Sequence, residues 1–421
     1  MEDKDLKFDD LTDDQVLFFI RIRGKKSYFN AVYSESFLAQ FKKLKEFRTI
    51  SEYRVDADVY IDINKYSPYT LTAAEREVMA EHLNELEIIR RCRGLRSISY
   101  LEAHELIIRA FRFFYHLFQG SDLRYIVMGA VDNYVMDIMC TLAKYFGIRC
   151  LGITEFFLAP KYKLVTTYGE HVAFREPDSA EVAEVHAELM SRYKSVLAIS
   201  KRRAVFQAFY DFGSYCYRFI VRYLLKYRIQ GCLAYEYRFA PYLTKFHTMD
   251  QLTGPGYLRK FDALDLINCE DAVYIPLHYF PEATIDYWVK DSRDANYLES
   301  LLYVINYFAS LNITVVLKEH PAFYLARPIE FYKAVTAVPN VILLEPFIAT
   351  KLVFQKIRNI VVWTGSTGVE AALQGLNVKI VTENYYSDGM LKHYQDKSDS
   401  TLSHVQQLQM LKRVLQTSLR V

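Results

Sequence analysis

Along most of the chain, short solid apolar runs alternate with longer amphipathic stretches. Apolar runs of a few residues between turn formers read as buried strands, and apolar positions three and four apart read as helices. In the first half, Gln15–Ile22 (QVLFFIRI) predicts a strand, Ser34–Phe47 a helix and Ala57–Ile63 (ADVYIDI) another strand. Helical stretches follow near 72–92 and 99–118. A strand at Tyr125–Gly129, a helix at Tyr134–Phe146 closed by Gly147, and a strand at Ile148–Ile153 make the clearest strand–helix–strand unit of this half. The segment 180–230 reads as helical and aromatic.

The second half is more regular. Strands are expected at Ala272–Leu277, Ile313–Lys318, Val341–Leu344, Asn359–Trp363 and Val378–Thr382. Helices are expected at Asn296–Leu311, Ile329–Val338, Ala349–Ile357, Thr367–Gly375 and about 403–418. This alternation predicts a doubly wound parallel sheet, which binds ligands beyond the carboxyl ends of its strands. The turn formers Gly254, Pro255 and Gly256 mark a boundary between two domains. The expected division is 1–260, 261–400, and a final helix in 401–421 packing back across the first domain.

Composition narrows the class. Charge is nearly balanced, with 52 basic and 50 acidic side chains, which argues against a general nucleic-acid binder. The 34 Tyr and 28 Phe suit a protein that handles carbohydrate or lipid, and equally a Tyr-rich core. Between Lys201 and Lys245, nine Lys and Arg face only Asp211 and Glu236. That stretch reads either as a face for anionic lipid or glycan, or as the solvated side of an ordinary amphipathic helix. The six cysteines form no CxxC pair and read as free thiols in a reducing compartment. The polar start MEDKDLKFDD is unlike a signal peptide, and no apolar run is long enough for a membrane span. A cytoplasmic protein, with peripheral contact to an anionic membrane, is the expectation.

Two motifs fall where such a sheet binds its ligand. Lys318, Glu319, His320 and Pro321 end one strand. Thr364, Gly365, Ser366, Thr367, Gly368, Val369 and Glu370 end another, 46 residues from His320 to Ser366, and run into a helix. Gly365 and Gly368 permit a tight turn and close approach of backbone. Hydroxyls of Thr364, Ser366 and Thr367, with the free N–H groups of the helix start, suit a phosphate, and Glu370 suits a ribose. A capping box built on Ser366 or Thr367 and Glu370 explains the same helix start but not the paired glycines. His320 suits a phosphate or ribose, Pro321 fixes the turn, and Lys318 suits leaving-group charge. In the first half, Glu155 and Asp132 each follow a strand. Each is a catalytic carboxylate candidate, with a solvated loop (Glu155) or a helix cap (Asp132) as the plain alternative. The DxD strings Asp3–Asp5 and Asp56–Asp58 are misplaced for a metal, and no metal site is expected.

The motifs KEHP and VVWTGSTGVEAALQG, with YIPLHYFPE at Tyr274–Glu282, resemble the C-terminal domain of GT-B glycosyltransferases of bacterial capsule and O-antigen synthesis. Within these, the Kdo-transferase and sialyltransferase type is the most similar, and there an HP motif and a Ser/Thr-rich turn hold the CMP of CMP-sugars. The resemblance covers 272–385 and fades in the first half. It implies an α/β, GT-B-like fold, with two Rossmann-like domains facing across a cleft. It implies that His320, Ser366 and Thr367 hold the nucleotide. His278 and Glu282 match its LHxxPE loop, where they would act on the sugar or the leaving phosphate. A satisfied structural histidine and a loop cap are the plain alternatives.

The expected function is metal-independent transfer of a sugar, favoured as Kdo or a related ulosonic acid from a CMP-sugar, onto a polysaccharide or lipid-linked glycan. No cofactor is expected, since the nucleotide sugar is a substrate. A nucleotide-sugar epimerase, a CDP-polyol phosphotransferase and a non-catalytic assembly partner stand as alternatives.

Overall fold

The computed structural model describes residues 8, 10–20, 29, 33, 35–52, 55–191, 199–225, 249–279, 283–325, 327–387 and 389–421. The chain divides into two compact units. One holds Met1–Arg175, Arg218–Leu243 and Thr417–Val421, and the other Glu176–Tyr217 and Thr244–Gln416.

The first unit is built on a seven-stranded sheet of order β13-β6-β5-β4-β1-β2-β3. Its strands are β1 (Val16–Ile20), β2 (Thr49–Ser51), β3 (Val59–Tyr60), β4 (Tyr125–Met128), β5 (Arg149–Thr154), β6 (Tyr162–Val165) and β13 (Ser418–Arg420). The strands from β5 to β3 pair in parallel, while β6 and β13 pair antiparallel at one edge. β1 is buried throughout, as a strand covered on both faces must be. Four helices accompany the sheet: α1 (Ala73–His82), α2 (Glu85–Arg91), α3 (Tyr100–Phe118) and α4 (Tyr134–Tyr145). Ser99 and Glu102 form a capping box that starts α3.

Two helices expected here take another form. Ser34–Phe47 keeps only the turn Glu35–Leu38. Beyond it, the N–H groups of Lys45 and Glu46 donate to Asp13 Oδ1 and not to helical carbonyls. The stretch 72–92 breaks into α1 and α2, because Asn84 caps a new helix through Glu87 N.

The second unit has six strands in the order β12-β11-β10-β7-β8-β9. They are β7 (Ala272–Pro276), β8 (Thr314–Lys318), β9 (Val341–Leu344), β10 (Asn359–Val362), β11 (Asn377–Ile380) and β12 (Lys392–His393). Every pairing is parallel. Its helices are α5 (Ser179–Ser191), α6 (Lys201–Leu225) as far as Tyr217, α7 (Tyr297–Ser310), α8 (Ile329–Thr336), α9 (Thr350–Lys356), α10 (Thr367–Leu373) and α11 (His404–Gln416). Val273, Ile275, Val315, Leu317, Val361 and Trp363 from three adjacent strands meet Leu301, Ile305 and Val335 in one buried core.

The α/β class and the regular parallel sheet of the second half are as the pattern predicted. The division of the chain differs from the expected 260/261 boundary. α5 packs on α10 and α11, so Glu176–Tyr217 belongs with the second sheet. The turn around Gly254 belongs there too, since a Cβ on Gly254 would meet the Tyr332 ring at 2.5 Å. The last helix stays with the second unit, and only β13 joins the first. The basic aromatic stretch beyond residue 225 lies outside the described residues. Among those described, no helix is long and apolar enough to cross a membrane.

Candidate functional site

At the carboxyl ends of β7, β8 and β10 the second unit encloses a cavity of ≈ 530 Å³. Lys318, His320 and Pro321 line it from the end of β8 and the turn after it, and Ser366, Thr367 and Glu370 line it from the start of α10. The loop after β9, from Pro346 to Lys351, forms a further wall, and Leu189, Met190, Ile199, Ser200 and Lys201 close another.

Lys318 ends β8 and is nearly buried. Its Nζ donates to Thr350 Oγ1 at 2.7 Å and to the Ile348 carbonyl at 3.1 Å. Burial pulls its pKa down to about 8, and the nearby Glu370 carboxylate opposes that pull. Side chains alternate along a strand, so the next residue, Glu319, points the other way. There it is wholly buried and meets Arg327 at 2.7 and 2.8 Å, a bidentate pair. Glu319 also accepts from Tyr332 Oη at 2.8 Å and from His320 N at 2.6 Å. The Arg327 guanidinium is sandwiched by Phe323 and Phe331, and it donates to the His278 carbonyl at 2.9 Å.

His320 begins a short turn with Pro321 in its first position. Its Nδ1 accepts from Ala322 N at 3.2 Å, so the neutral ring carries its proton on Nε2. The site is thus built from alternate sides of one strand end. Lys318 and His320 serve the cavity, and Glu319 locks the turn from behind.

The glycine turn is shaped by contact. A Cβ on Gly365 would stand 3.1 Å from His278 Cε1, and one on Gly368 would stand 2.7 Å from both Tyr386 Oη and Val362 Cγ2. Tyr386 Oη donates to the Gly365 carbonyl at 2.9 Å. Thr364 is buried, and its hydroxyl donates to the Thr284 carbonyl at 2.8 Å. Thr364, Gly365 and Gly368 therefore shape the wall and do not line it. The capping box that stood as the plain alternative is not formed by Ser366. Ser366 already has helical dihedrals and makes no side-chain cap, whereas a capping residue needs an extended backbone.

His278 stands apart from this lining. It is buried, packed edge-on against Tyr297 and Trp363, and is not part of the cavity lining. Burial, with the charges of His320 and Arg327, lowers its pKa to about 3, so it is neutral at ordinary pH. Glu282 lies outside the described residues. Asp132 and Glu155 belong to the first unit. Asn133, not Asp132, caps α4, accepting from Met136 N at 2.9 Å. Glu155 is exposed, 3.8 Å from Lys163 Nζ.

The motif reading included Glu319 and Tyr274 without giving either a role, and it missed Arg327, Thr350 and the wall from α5 and α6. Tyr274 left a signal, as the polar-tipped residue within the otherwise apolar run AVYIPL.

No protein-family model matches the chain, and no curated protein matches it. Among solved structures, the chain is similar to KpsC, beta Kdo 2,7 transferase, of Thermosulfurimonas dismutans. The two share 12% identity over 75% of this chain and 87% of that one, with a TM-score of 0.34. It is similar to the family 9 glycosyl transferase of Veillonella parvula DSM 2008, at 8% identity over 98% and 99%, TM-score 0.25. It is also similar to the UDP-GlcNAc 2-epimerase of Methanocaldococcus jannaschii, at 9% identity over 95% and 92%, TM-score 0.24. At these identities and scores the likeness carries no residue role across.

Proposed function

We propose that the chain is a glycosyltransferase whose nucleotide-sugar donor binds in this cavity, and that the sugar passes to a bacterial surface polysaccharide or lipid-linked glycan. The reading is carried by one observation: Lys318, His320, Ser366 and Thr367 converge on a single cavity at the carboxyl ends of a parallel sheet.

The charge of the lining supports an anionic ligand. Lys201, Lys318 and Lys351 line it, Glu319 is neutralised by Arg327, and Glu370 is the acid left against them. Lys318, with a pKa near 8, is mostly charged at neutral pH. Together with the Nε2–H of His320, it would stabilise the charge that develops on the departing phosphate without a metal. The hydroxyls of Ser366 and Thr367 would hold the same phosphate. The finer reading, a CMP-linked ulosonic acid of the Kdo kind, rests on the resemblance of the KEHP and TGSTGVE motifs. A cytoplasmic donor pool and a lipid-linked acceptor at the membrane face would suit the basic stretch 201–245.

The test is thermal stability of the full chain with CMP, CDP, UDP and GDP. A ligand at a hundred times its Kd stabilises the native state by about 2.7 kcal/mol. A shift with at least one of these is expected, followed by sugar transfer that is lost in His320→Ala and Ser366→Ala. No shift with any of the four would sink the nucleotide reading. Binding with full activity retained in both variants would remove these residues from it.

A further inference from the structure

Lys201 and Lys351 line the cavity from the starts of α6 and α9. Both are held against the same part of it. Lys351 Nζ donates to the carbonyl of Met190, at the end of α5, at 3.3 Å. Met190 lines the cavity together with Leu189, Ile199 and Ser200, the residue just before Lys201. Lys201 Nζ stands 5.9 Å from the centroid of the Tyr324 ring, a cation–π approach. Tyr324 meets Phe347 edge-on, with centroids 5.1 Å apart, and Phe347 belongs to the same loop as Lys351. One wall and one loop thus position both ammonium groups.

Their charges are unopposed. Elsewhere in the site each cation has an acid. Arg327 is paired with Glu319, and Lys318 lies within electrostatic reach of the Glu370 carboxylate. Among the described residues, neither Lys201 nor Lys351 forms an ion pair. An ammonium has three donors, and the Met190 carbonyl occupies one of those of Lys351. Lys201 is exposed and Lys351 half-buried, and both border the open volume, so a ligand in the cavity can reach them.

The balance of charge limits what that ligand carries. Lys201, Lys318 and Lys351 stand against Glu370 alone, because Arg327 cancels Glu319. A nucleoside monophosphate joined to a neutral sugar has one negative charge, on its phosphodiester, and leaves part of this positive charge unmatched. A donor with a second anionic group matches it. We propose that Lys201 and Lys351 form an outer anion subsite of the cavity, which takes a second negative group of the donor, either a second phosphate or the carboxylate of an acidic sugar. This rests on the reading of the cavity as a nucleotide-sugar site, and it makes the two lysines specificity residues for doubly anionic donors.

The experiment compares ligands that differ by one anionic group, on the full chain at low salt, where contacts between exposed charges are least screened. CMP against CDP, and UMP against UDP, probe a second phosphate. CMP-N-acetylneuraminate against its methyl ester probes a carboxylate. Kd is measured for the wild type, for Lys201→Gln and for the double variant Lys201→Gln, Lys351→Gln. In at least one arm, the member with the extra anion should bind the wild type about tenfold more tightly than its counterpart. In the double variant that preference should shrink to about threefold or less, with the Kd of the counterpart little changed, and Lys201→Gln should fall between. A preference in the first arm assigns the subsite to a second phosphate, and one in the second arm assigns it to a carboxylate. No preference in either arm overturns the proposal, as does a preference that survives the double substitution. Equal weakening of both members also overturns it, and would place the lysines on the phosphate next to the nucleoside. If the wild type binds none of these ligands, the nucleotide reading falls, and this proposal falls with it.

Discussion

His278 and His320 belong to the same unit and have opposite surroundings. The His320 ring is oriented by Ala322 N and stands at the cavity wall, while His278 is enclosed by Tyr297, Trp363 and the Gly365 backbone. The enclosure has a consequence for stability. Unfolded, His278 titrates near its ordinary value of 6.5, and folded near 3. Between those values the unfolded chain binds the extra proton, so stability falls as the pH falls through this window. Above about pH 6.5 the ring is neutral in both states and adds no slope. At about 1.4 kcal/mol per unit, the loss attributable to this ring between pH 6.5 and 4 is roughly 3 kcal/mol. Denaturant unfolding across that range should show this component in the wild type and not in His278→Gln. Parallel pH profiles for the two proteins would refute the enclosed, neutral histidine.

At the scale of elements, the end of β8 does two jobs with successive residues. Glu319 and Arg327 are both almost completely shielded from solvent, and their pair fixes the turn that presents His320. Removing one member leaves the other charge buried and uncompensated, which costs about 3–5 kcal/mol. Arg327→Met should therefore lower stability by about that amount. Adding Glu319→Gln, which keeps an acceptor for Tyr332 and His320 N, should recover a large part of it. Equal stability of the single variant and the wild type would show that the pair does not hold the turn. Much of this architecture was legible in the sequence. Solid apolar runs marked β7 to β11 to within a residue or two, because strands buried on both faces need apolar side chains at every position. Lys318, His320 and the glycine turn were legible for the same reason, as polar residues set directly after those runs. The ion pair behind them was not. Glu319 and Arg327 are eight residues apart and meet only through the turn between them, and no periodicity reports such a contact. His278 misled in the opposite direction. A histidine after a strand reads as a ligand-facing residue, and only the packing of Tyr297 and Trp363 shows that it is enclosed.

At the scale of the whole molecule, the course of the chain departs most from what the sequence suggests. The chain enters the second unit at Glu176, leaves it at Arg218, re-enters at Thr244 and leaves finally at Thr417. Composition marks none of these passages as a linker, so a boundary set by turn formers near 260 assigned α5 and the start of α6 to the wrong sheet. The last crossing is short but well bonded. Leu419 is buried in the core of the first unit, and Val165 N donates to the Thr417 carbonyl at 2.8 Å. Arg175 Nε donates to the Ser418 carbonyl at 3.1 Å, and Val421 N to the Lys161 carbonyl at 2.8 Å. Five terminal residues thus cover the edge of β6, which would otherwise expose unpaired backbone groups beside apolar side chains. Deleting Thr417–Val421 removes one buried leucine and a ladder of backbone bonds from the first unit only. The unfolding transition of that unit should fall by several degrees, since 1 kcal/mol corresponds to about 2–4 °C in a domain of this size. Aggregation should rise as β6 becomes an edge. Because the cavity residues all belong to the second unit, a nucleotide that stabilises the full chain should bind the truncated chain with the same Kd. Calorimetric melting with titration of that nucleotide checks both halves. A lost Kd with an unchanged first transition would assign these five residues to the cavity unit, and an unchanged melt would show that β13 adds nothing to the first sheet.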